Sequence, residues 1–328
     1  MAMQGDDSTA TEAAVANGDI GLVLTPPGWH DYRLLDSGDG QKLEQVGPYR
    51  FIRPEAQALW RPALAATDWQ EVAGRFVTTA DAGNGTGPNR PDEERGRWSL
   101  DPGLPEHWRV AYDALAFQAM PTPFRHLGFF PEQAAHWCWC ERLIRRRAAS
   151  GSRPRILNLF AYTGIASLHA ARAGAEVTHV DASRKAIAQA FENRSCAGMD
   201  DAPIRFITDD ARDFVLRELR RGRRYDGIIL DPPKYGRGPK GGVWRLEQDL
   251  APLLGSLADL LSSAPLFVVL TAYAIRASSL SLHYTLAESL AGRTGRTESG
   301  ELAVAETGPA GRLISQAIFA RWQGQQDS

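Results

Sequence analysis

The run RILNLFAYTGIASLHAARAGAEVTHVD, residues 155–181, limits the possible folds of this chain more than any other stretch. Residues 156–160 are a short apolar burst, the pattern of a strand buried on both faces of a parallel sheet. A small-residue loop, 161–164, leads into apolar residues at helical spacing over 165–173. Gly174 closes that helix, and a second short strand, 176–180, ends on Asp181. Strand, tight loop, helix, strand, acid: this is the first half of a nucleotide-binding α/β sheet.

The chemistry asks for each part. Free backbone N–H groups where a strand turns into a helix attract the charged or zwitterionic end of a ligand. The turn needs a small residue, and Gly164 supplies it. A carboxylate at the tip of the next strand, about twenty residues on, is placed to accept hydrogen bonds from ribose hydroxyls. Asp181 is that carboxylate. The fingerprint G-x-G-x-x-G is absent, so no glycine bed receives a pyrophosphate. A nucleoside cofactor without phosphates fits, and S-adenosyl-L-methionine is the expected one. The competing reading is an α/β domain with an incidental surface Asp.

The alternation continues past Asp181. Residues 185–194 are helical, 204–208 form a strand ending in Asp209 and Asp210, and 213–220 are helical. A strand over 225–230 runs into DPPKYGRGPKGGVW, followed by a helix at 246–261, a strand at 266–270 and a mostly helical 274–290. Two strands, 301–306 and 313–322, close the chain with only a Gly/Pro turn between them. The expected fold is α/β, a Rossmann-like sheet with a terminal antiparallel hairpin, an ending that resembles methyltransferases more than dinucleotide dehydrogenases.

Ahead of it, 1–30 reads as a disordered tail, 31–120 as a small β-rich domain and 121–328 as the catalytic domain. A long polar loop is expected at 79–97, and a hairpin from the strands 108–112 and 115–120. Seven of the nine Trp precede residue 150. With Arg neighbours they suit stacking on unpaired bases, but they also suit the core of a small domain, which is the favoured reading. In the bridge PTPFRHLGFFPEQ, Phe129, Phe130 and Gln133 are placed to close over a cofactor, and packing between domains is the alternative for the Phe pair.

A net charge of −2 confines any nucleic-acid surface to a local patch. Three cysteines, Cys138, Cys140 and Cys196, are too few for a disulfide framework and point to a reducing compartment. Their spacing suits no zinc site, and no metal is expected. The first residues are acidic and polar, unlike a signal peptide, and no apolar run approaches the roughly twenty residues of a membrane span. The expectation is a cytoplasmic protein with no membrane partner.

Asp231, Pro232, Pro233, Lys234 and Tyr235 follow the fourth core strand, where the tips of an open α/β sheet face the ligand crevice. Two prolines fix the backbone, a carboxylate and rigid carbonyls orient an attacking nitrogen, and an aromatic beyond can stack on a planar base. The ordered set FRHLGFFPEQ, LNLFAYTGIAS, strand-end Asp181, DDARDF and DPPKYGRG resembles the class I S-adenosylmethionine-dependent methyltransferases. More narrowly, it is similar to the bacterial 23S rRNA methyltransferases that modify cytosine C5 or guanine N7.

The resemblance covers about 120–328 and implies residue roles. Phe160, Ala161, Tyr162, Thr163 and Gly164 would hold the methionine end of the cofactor. Asp181, with Ala182 beside it, would bind the ribose, and Asp210, with Ala211, the adenine amino group. Asp231 to Tyr235 would face the methyl group and the target base. Cytosine C5 methylation needs a Cys thiolate to add at C6. In the cytosine-modifying relatives that Cys follows the fifth strand; here the place reads Thr271-Ala272-Tyr273. A base nitrogen of RNA, rRNA by resemblance, is therefore the expected target. The alternatives are a protein or small-molecule methyltransferase and a non-catalytic RNA-binding protein.

Overall fold

The computed structural model describes residues 19–78, 96–239, 241–273 and 275–325. Most of the expected tail and of the expected polar loop, 1–18 and 79–95, lies outside the described residues. The rest of the tail is not all coil. Leu22–Leu24 forms strand β1, which pairs in parallel with a strand near the far end of the chain, Leu22 opposite Gly300. Three residues are too few to carry a periodic signal, and the strand exists only through its distant partner.

Next come β2 (Tyr32–Gly38), β3 (Gln41–Val46), β4 (Tyr49–Pro54), β5 (Gly74–Thr78) and β6 (Gly96–Leu100), a five-stranded sheet in chain order. β7 (Trp108–Tyr112) and β8 (Leu115–Ala119) form the expected hairpin. Its two turn residues, Asp113 and Ala114, have φ of 45° and 61°, the double left-handed conformation of a type I′ turn. A 3₁₀ turn, Pro131–Gln133, then opens helix α1 (Ala134–Ala148).

The large sheet draws on β9 (Arg155–Leu159), β10 (Glu176–Asp181), β11 (Ile204–Thr208), β12 (Gly227–Leu230), β15 (Phe267–Ala272), β16 (Gly295–Ala305) and β17 (Leu313–Gly324). Its eight strands run in the order β1-β16-β17-β15-β12-β9-β10-β11, and β17 alone is antiparallel to its neighbours. Between them lie α2 (Ile165–Arg172), α3 (Arg184–Cys196), α4 (Ala211–Arg220), α5 (Leu246–Leu260), α6 (Ser279–Ser289) and a small hairpin, β13 (Tyr235–Arg237) with β14 (Val243–Arg245). No described helix is long and apolar enough to cross a membrane.

Strand alternation divides the core. Ile156, Phe267 and Val269 face one side, with Trp137, Leu143 and Ile165 of the helices there. Leu157, Leu159, Val268 and Leu270 face the other, against Leu250, Leu253, Leu254 and Leu257 of α5. All six residues of β15 are buried, as expected for a strand covered on both faces. The first of these cores continues into the N-terminal region through Tyr32, Phe51, Trp108 and Phe117.

Trp29 lies at the centre of an aromatic group with Tyr32, Tyr112, Phe117, Phe129 and Trp137. Five early indole N–H groups donate within the protein: Trp29 to Pro131 O, Trp60 to Ser37 O, Trp69 to Asp36, Trp98 to Thr122 O and Trp108 to Val46 O. These tryptophans pack and hydrogen-bond within the protein, as the core reading expects.

Candidate active site

The loop after β9 carries the strain expected of a site. Phe160 and Tyr162 have φ of 53° and 48°, left-handed values that residues with a Cβ seldom adopt. Gly164, with φ 87°, caps α2. A Cβ there would lie 2.9 Å from the Cβ of Ala190 in α3, so only glycine lets the loop come this close. Thr163 turns away from solvent; its hydroxyl donates to Gly128 O (2.8 Å), and its carbonyl accepts from Asn193 Nδ2 (2.9 Å). Ala161 is buried, its N–H donating to Val180 O of β10.

At the tip of β10, Asp181 braces this loop. Its Oδ2 accepts from Tyr162 N (2.8 Å) and its Oδ1 from Ser183 N (2.8 Å), with half-buried Ala182 between them. A carboxylate has about four lone-pair directions, so both oxygens keep capacity for ribose hydroxyls. Burial pushes the Asp181 carboxyl above its ordinary range, and the two N–H donors pull it back only in part.

At the tip of β11, Asp209 pairs with Arg217. Asp210 caps α4 by accepting from Arg212 N (2.9 Å) and Asp213 N (3.3 Å), ahead of buried Ala211. The β13–β14 hairpin lies over this acid. A Cβ on Gly238 would come within 2.8 Å of Asp210 Oδ2, and Arg212 ties the hairpin down through Val243 O (3.0 Å).

Asp231, at the tip of β12, is half-buried and Pro232 is buried, whereas Pro233, Lys234 and Tyr235 are exposed. The motif backbone is held by Trp244 Nε1, which donates to Pro233 O (2.7 Å) while its ring packs on Phe160 (5.0 Å). Gln133 Nε2 donates to Asp231 Oδ2 (3.1 Å) and also to the Tyr273 hydroxyl (3.0 Å). Burial raises the Asp231 carboxyl well above the usual range, and the nearby Glu132 charge adds to the rise.

The two bridge phenylalanines part company. Phe129 is 4% exposed and packs on Trp29, Tyr32 and Phe117, inside the aromatic core. Phe130 lies between Tyr162 (5.8 Å) and Tyr273 (5.0 Å) at the strand tips. Consecutive residues in extended backbone point to opposite sides, so only one of the pair can reach the cleft. Phe129, expected to close over a cofactor, lies in the aromatic core, and Phe130 is the one of the pair that stands at the strand tips.

The structure thus gathers Gln133, Tyr162 and Asp231 at one place, with Asp181 and Asp210 on neighbouring strand tips. Lys234 and Tyr235 stand outside, on the hairpin. Tyr273, which belongs to the cluster, and the buried Glu132 escaped the sequence reading. Tyr273 occupies the place inspected only for a missing cysteine, and Glu132 is the acid next to Gln133. None of the cysteines approaches the strand tips: Cys138 and Cys140 lie on α1, and Cys196 ends α3. Burial raises the Cys140 thiol out of the reactive range, and Cys138 Sγ lies 3.1 Å from the Tyr112 hydroxyl.

This chain is similar to known proteins. A family pattern described as S-adenosylmethionine-dependent methyltransferase matches residues 64–291. The crystal structure of a SAM-dependent methyltransferase from Agrobacterium tumefaciens is similar over 93% of this chain and 94% of its own, at 44% identity and a TM-score of 0.85. Two curated relatives are named ribosomal RNA large subunit methyltransferase K/L. The one from Shewanella frigidimarina is 38% identical over 109 residues, 33% of this chain and 15% of that protein. The one from Shewanella baltica is 38% identical over 124 residues, 37% of this chain and 17% of that protein. The chain therefore matches less than a fifth of the length of either curated relative. With the strained loop and the acids at successive strand tips, the match over 64–291 shows that this chain belongs to the S-adenosylmethionine-dependent methyltransferase family.

Proposed function

We propose that this chain methylates a base nitrogen of RNA, with rRNA as the substrate, in the cytoplasm. The observation that carries the reading is the Gln133–Asp231 pair. Gln133 offers N–H to one oxygen of Asp231, so Asp231 acts there as an acceptor, and its Oδ1 takes no hydrogen bond among the described residues. An acceptor of this kind suits a nitrogen that must lose a proton as it attacks. Phe130, Tyr162 and Tyr273 supply flat walls for a planar base.

The cofactor supplies an electrophilic methyl group on a sulfonium. The loop from Phe160 through Ala161, Tyr162 and Thr163 to Gly164 would receive its methionine end, Asp181 with Ala182 its ribose, and Asp210 with Ala211 its adenine. The residues fit that group. The left-handed loop leaves a small-residue turn at a helix N-terminus, and two carboxylates stand on adjacent strand tips. Methyl transfer is an in-line displacement, so holding nitrogen and methyl carbon in line supplies much of the rate. Cytosine C5 chemistry lacks its thiol, since the three cysteines lie on α1 and α3.

In this reading residues 31–120 form a substrate-facing domain on the catalytic domain that follows. Arg53 links the two: it pairs with Glu44 (2.6 Å) and donates to Arg125 O (3.0 Å) in the bridge. The test is transfer of labelled methyl from S-adenosylmethionine to unmodified rRNA, ribosomal subunits, total protein and a metabolite extract, followed by mass spectrometry of the nucleosides. Label in a base-nitrogen-methylated nucleoside is the expected outcome. 5-Methylcytidine would refute the nitrogen assignment, and label confined to protein or metabolites would refute RNA.

A further inference from the structure

The wall formed by Phe130, Tyr162 and Tyr273 has a fourth ring, which the proposed function leaves unused. His126 lies against Phe130, with ring centroids 4.8 Å apart and planes inclined at 56°. Phe130 in turn meets Tyr162 (5.8 Å) and Tyr273 (5.0 Å). The imidazole thus ends a row of rings that begins at Tyr273, the phenol that shares the Gln133 amide with Asp231. His126 is half-buried, and among the described residues neither of its ring nitrogens makes a hydrogen bond.

Its backbone is fixed at several points. The His126 carbonyl accepts from Thr122 N (3.0 Å) and from Thr122 Oγ1 (3.0 Å), which closes a short loop. Trp98 Nε1 holds the loop through Thr122 O (2.8 Å) and Phe124 O (3.0 Å), and Met120 N donates to Leu127 O (3.0 Å) at its base. Arg53 Nη1 donates to Arg125 O (3.0 Å), the carbonyl of the peptide bond that leads into His126. A loop tied in this way presents its side chain in one place, so little ordering is left to be done when a ligand binds.

We propose that His126 is a substrate-contacting residue that reads the edge of the target base and so selects among the bases that the aromatic wall can stack. The inference deepens the reading of this cleft as a base-methylating site and rests on it. Stacking tolerates any sequence, because every base has a π-face. Choice among bases comes from hydrogen bonds to their edges. The wall supplies the first, and the imidazole at its end offers one donor and one acceptor for the second.

The charge on this ring suits a base edge and not a phosphate. Burial pushes the imidazole down to about 3, with the Arg53, Arg125 and Lys42 charges adding to the fall. At neutral pH it is therefore uncharged, one nitrogen donating and the other accepting. Arg53, whose hydrogen bond reaches this loop, is already committed to Glu44 through Nε (2.6 Å) and Nη2 (2.7 Å). A site built to hydrogen-bond a polar group of its substrate rejects an analogue that lacks the group far more strongly than apolar contact does.

The test uses the full chain carrying His126→Phe or His126→Gln, with unmodified rRNA as substrate. Phe keeps a ring against Phe130 and removes both nitrogens, whereas Gln keeps a donor and an acceptor on a flexible stem. H126F should lower kcat/KM for RNA by about tenfold to a hundredfold, the discrimination that hydrogen bonds to a base edge supply. The cofactor affinity by calorimetry and the melting temperature should match wild type, and H126Q should recover most of the lost kcat/KM. A purely structural histidine would give the opposite pattern, with H126F the better tolerated of the two. Unchanged kcat/KM in H126F, no recovery in H126Q, or a fall in cofactor affinity in step with kcat/KM would each overturn the inference. If wild type and H126F label RNA equally well, His126 alone leaves the substrate path and the base-methylation reading stands. If wild type labels only protein or metabolites, that reading fails and the base-edge role fails with it.

Discussion

Two polar clusters in this molecule are built on opposite rules. Where the N-terminal sheet meets the turn between β16 and β17, Asp36 accepts from Ala63 N, Leu64 N, Trp69 Nε1 and Arg312 Nη2. Glu306 in the same cluster accepts from Ser37 Oγ and Arg312 Nε. One guanidinium serves both acids and also donates to the carbonyls of Ser37 and Arg61. At the strand tips, Gln133 Nε2 joins the Asp231 carboxylate to the Tyr273 hydroxyl, and no cation pairs with that acid among the described residues. The first cluster matches its acids to a cation and fastens two regions. The second leaves Asp231 with an amide donor and no cation, and burial pushes its carboxyl up. A half-buried acid with a raised carboxyl and no paired cation is a candidate for chemistry.

The largest expected effect breaks the second cluster. Asp231→Asn should lower kcat about a thousandfold, within the range that a positioned proton acceptor supplies, with the fold intact. Its stability should even gain at neutral pH. The folded Asp231 carboxyl holds its proton to higher pH than an unfolded one, so ionising it costs stability as pH rises. The Asn variant escapes that cost. Its advantage in melting temperature should be absent near pH 4 and grow toward pH 8, and a constant difference would contradict the assignment.

Phe129 and Phe130 sharpen the contrast between core and cleft within two adjacent residues. Phe129→Ala empties a site in the aromatic core and should cost about 3–5 kcal/mol in chemical denaturation, with cofactor affinity per folded molecule retained. Phe130→Ala should cost much less stability and weaken binding of cofactor or base, read by calorimetry. If F129A were the variant that lost affinity, the assignment of the cleft wall would be reversed.

Breaking the first cluster comes next. Arg312→Ala strands Asp36 and Glu306, both buried. Removing one partner of a buried pair is strongly destabilising, here about 3 kcal/mol given that Arg312 retains some solvent contact. Activity per folded molecule, measured well below the melting temperature, should hold. A loss of kcat without a loss of stability would mean that this cluster also serves the site.

What the sequence showed and hid follows the same division. The strand tips were legible because each signal is local: a burst of Ile and Leu, a glycine at a turn, an acid one residue past a strand. Asp181 and Asp231 could be placed from their neighbours alone. Tyr273 could not, since it meets Gln133 only after β15 is laid beside β12 and the Pro131–Gln133 turn is brought to their tips. β1 was hidden for the same reason, its partner being at the other end of the chain. The choice between Phe129 and Phe130 needed the phase of an irregular segment, which carries no period to read.

The smallest effect concerns Tyr235, which the sequence placed against the target base. It is 51% exposed on β13 and pairs across the hairpin with Arg245. An exposed ring at a hairpin end contributes little to folding, so Tyr235→Ala should change stability by less than about 0.5 kcal/mol. Its worth lies in what it meets. If RNA lies across the hairpin, one stacked base lost should raise KM for RNA by roughly tenfold, the low end of stacking on an aromatic. The KM for the cofactor should stay put, because Trp244 rather than Tyr235 supports the loop at Phe160. Equal KM values for RNA in the two proteins would take Tyr235 out of the substrate path and confine base recognition to the cleft of Phe130, Tyr162 and Tyr273.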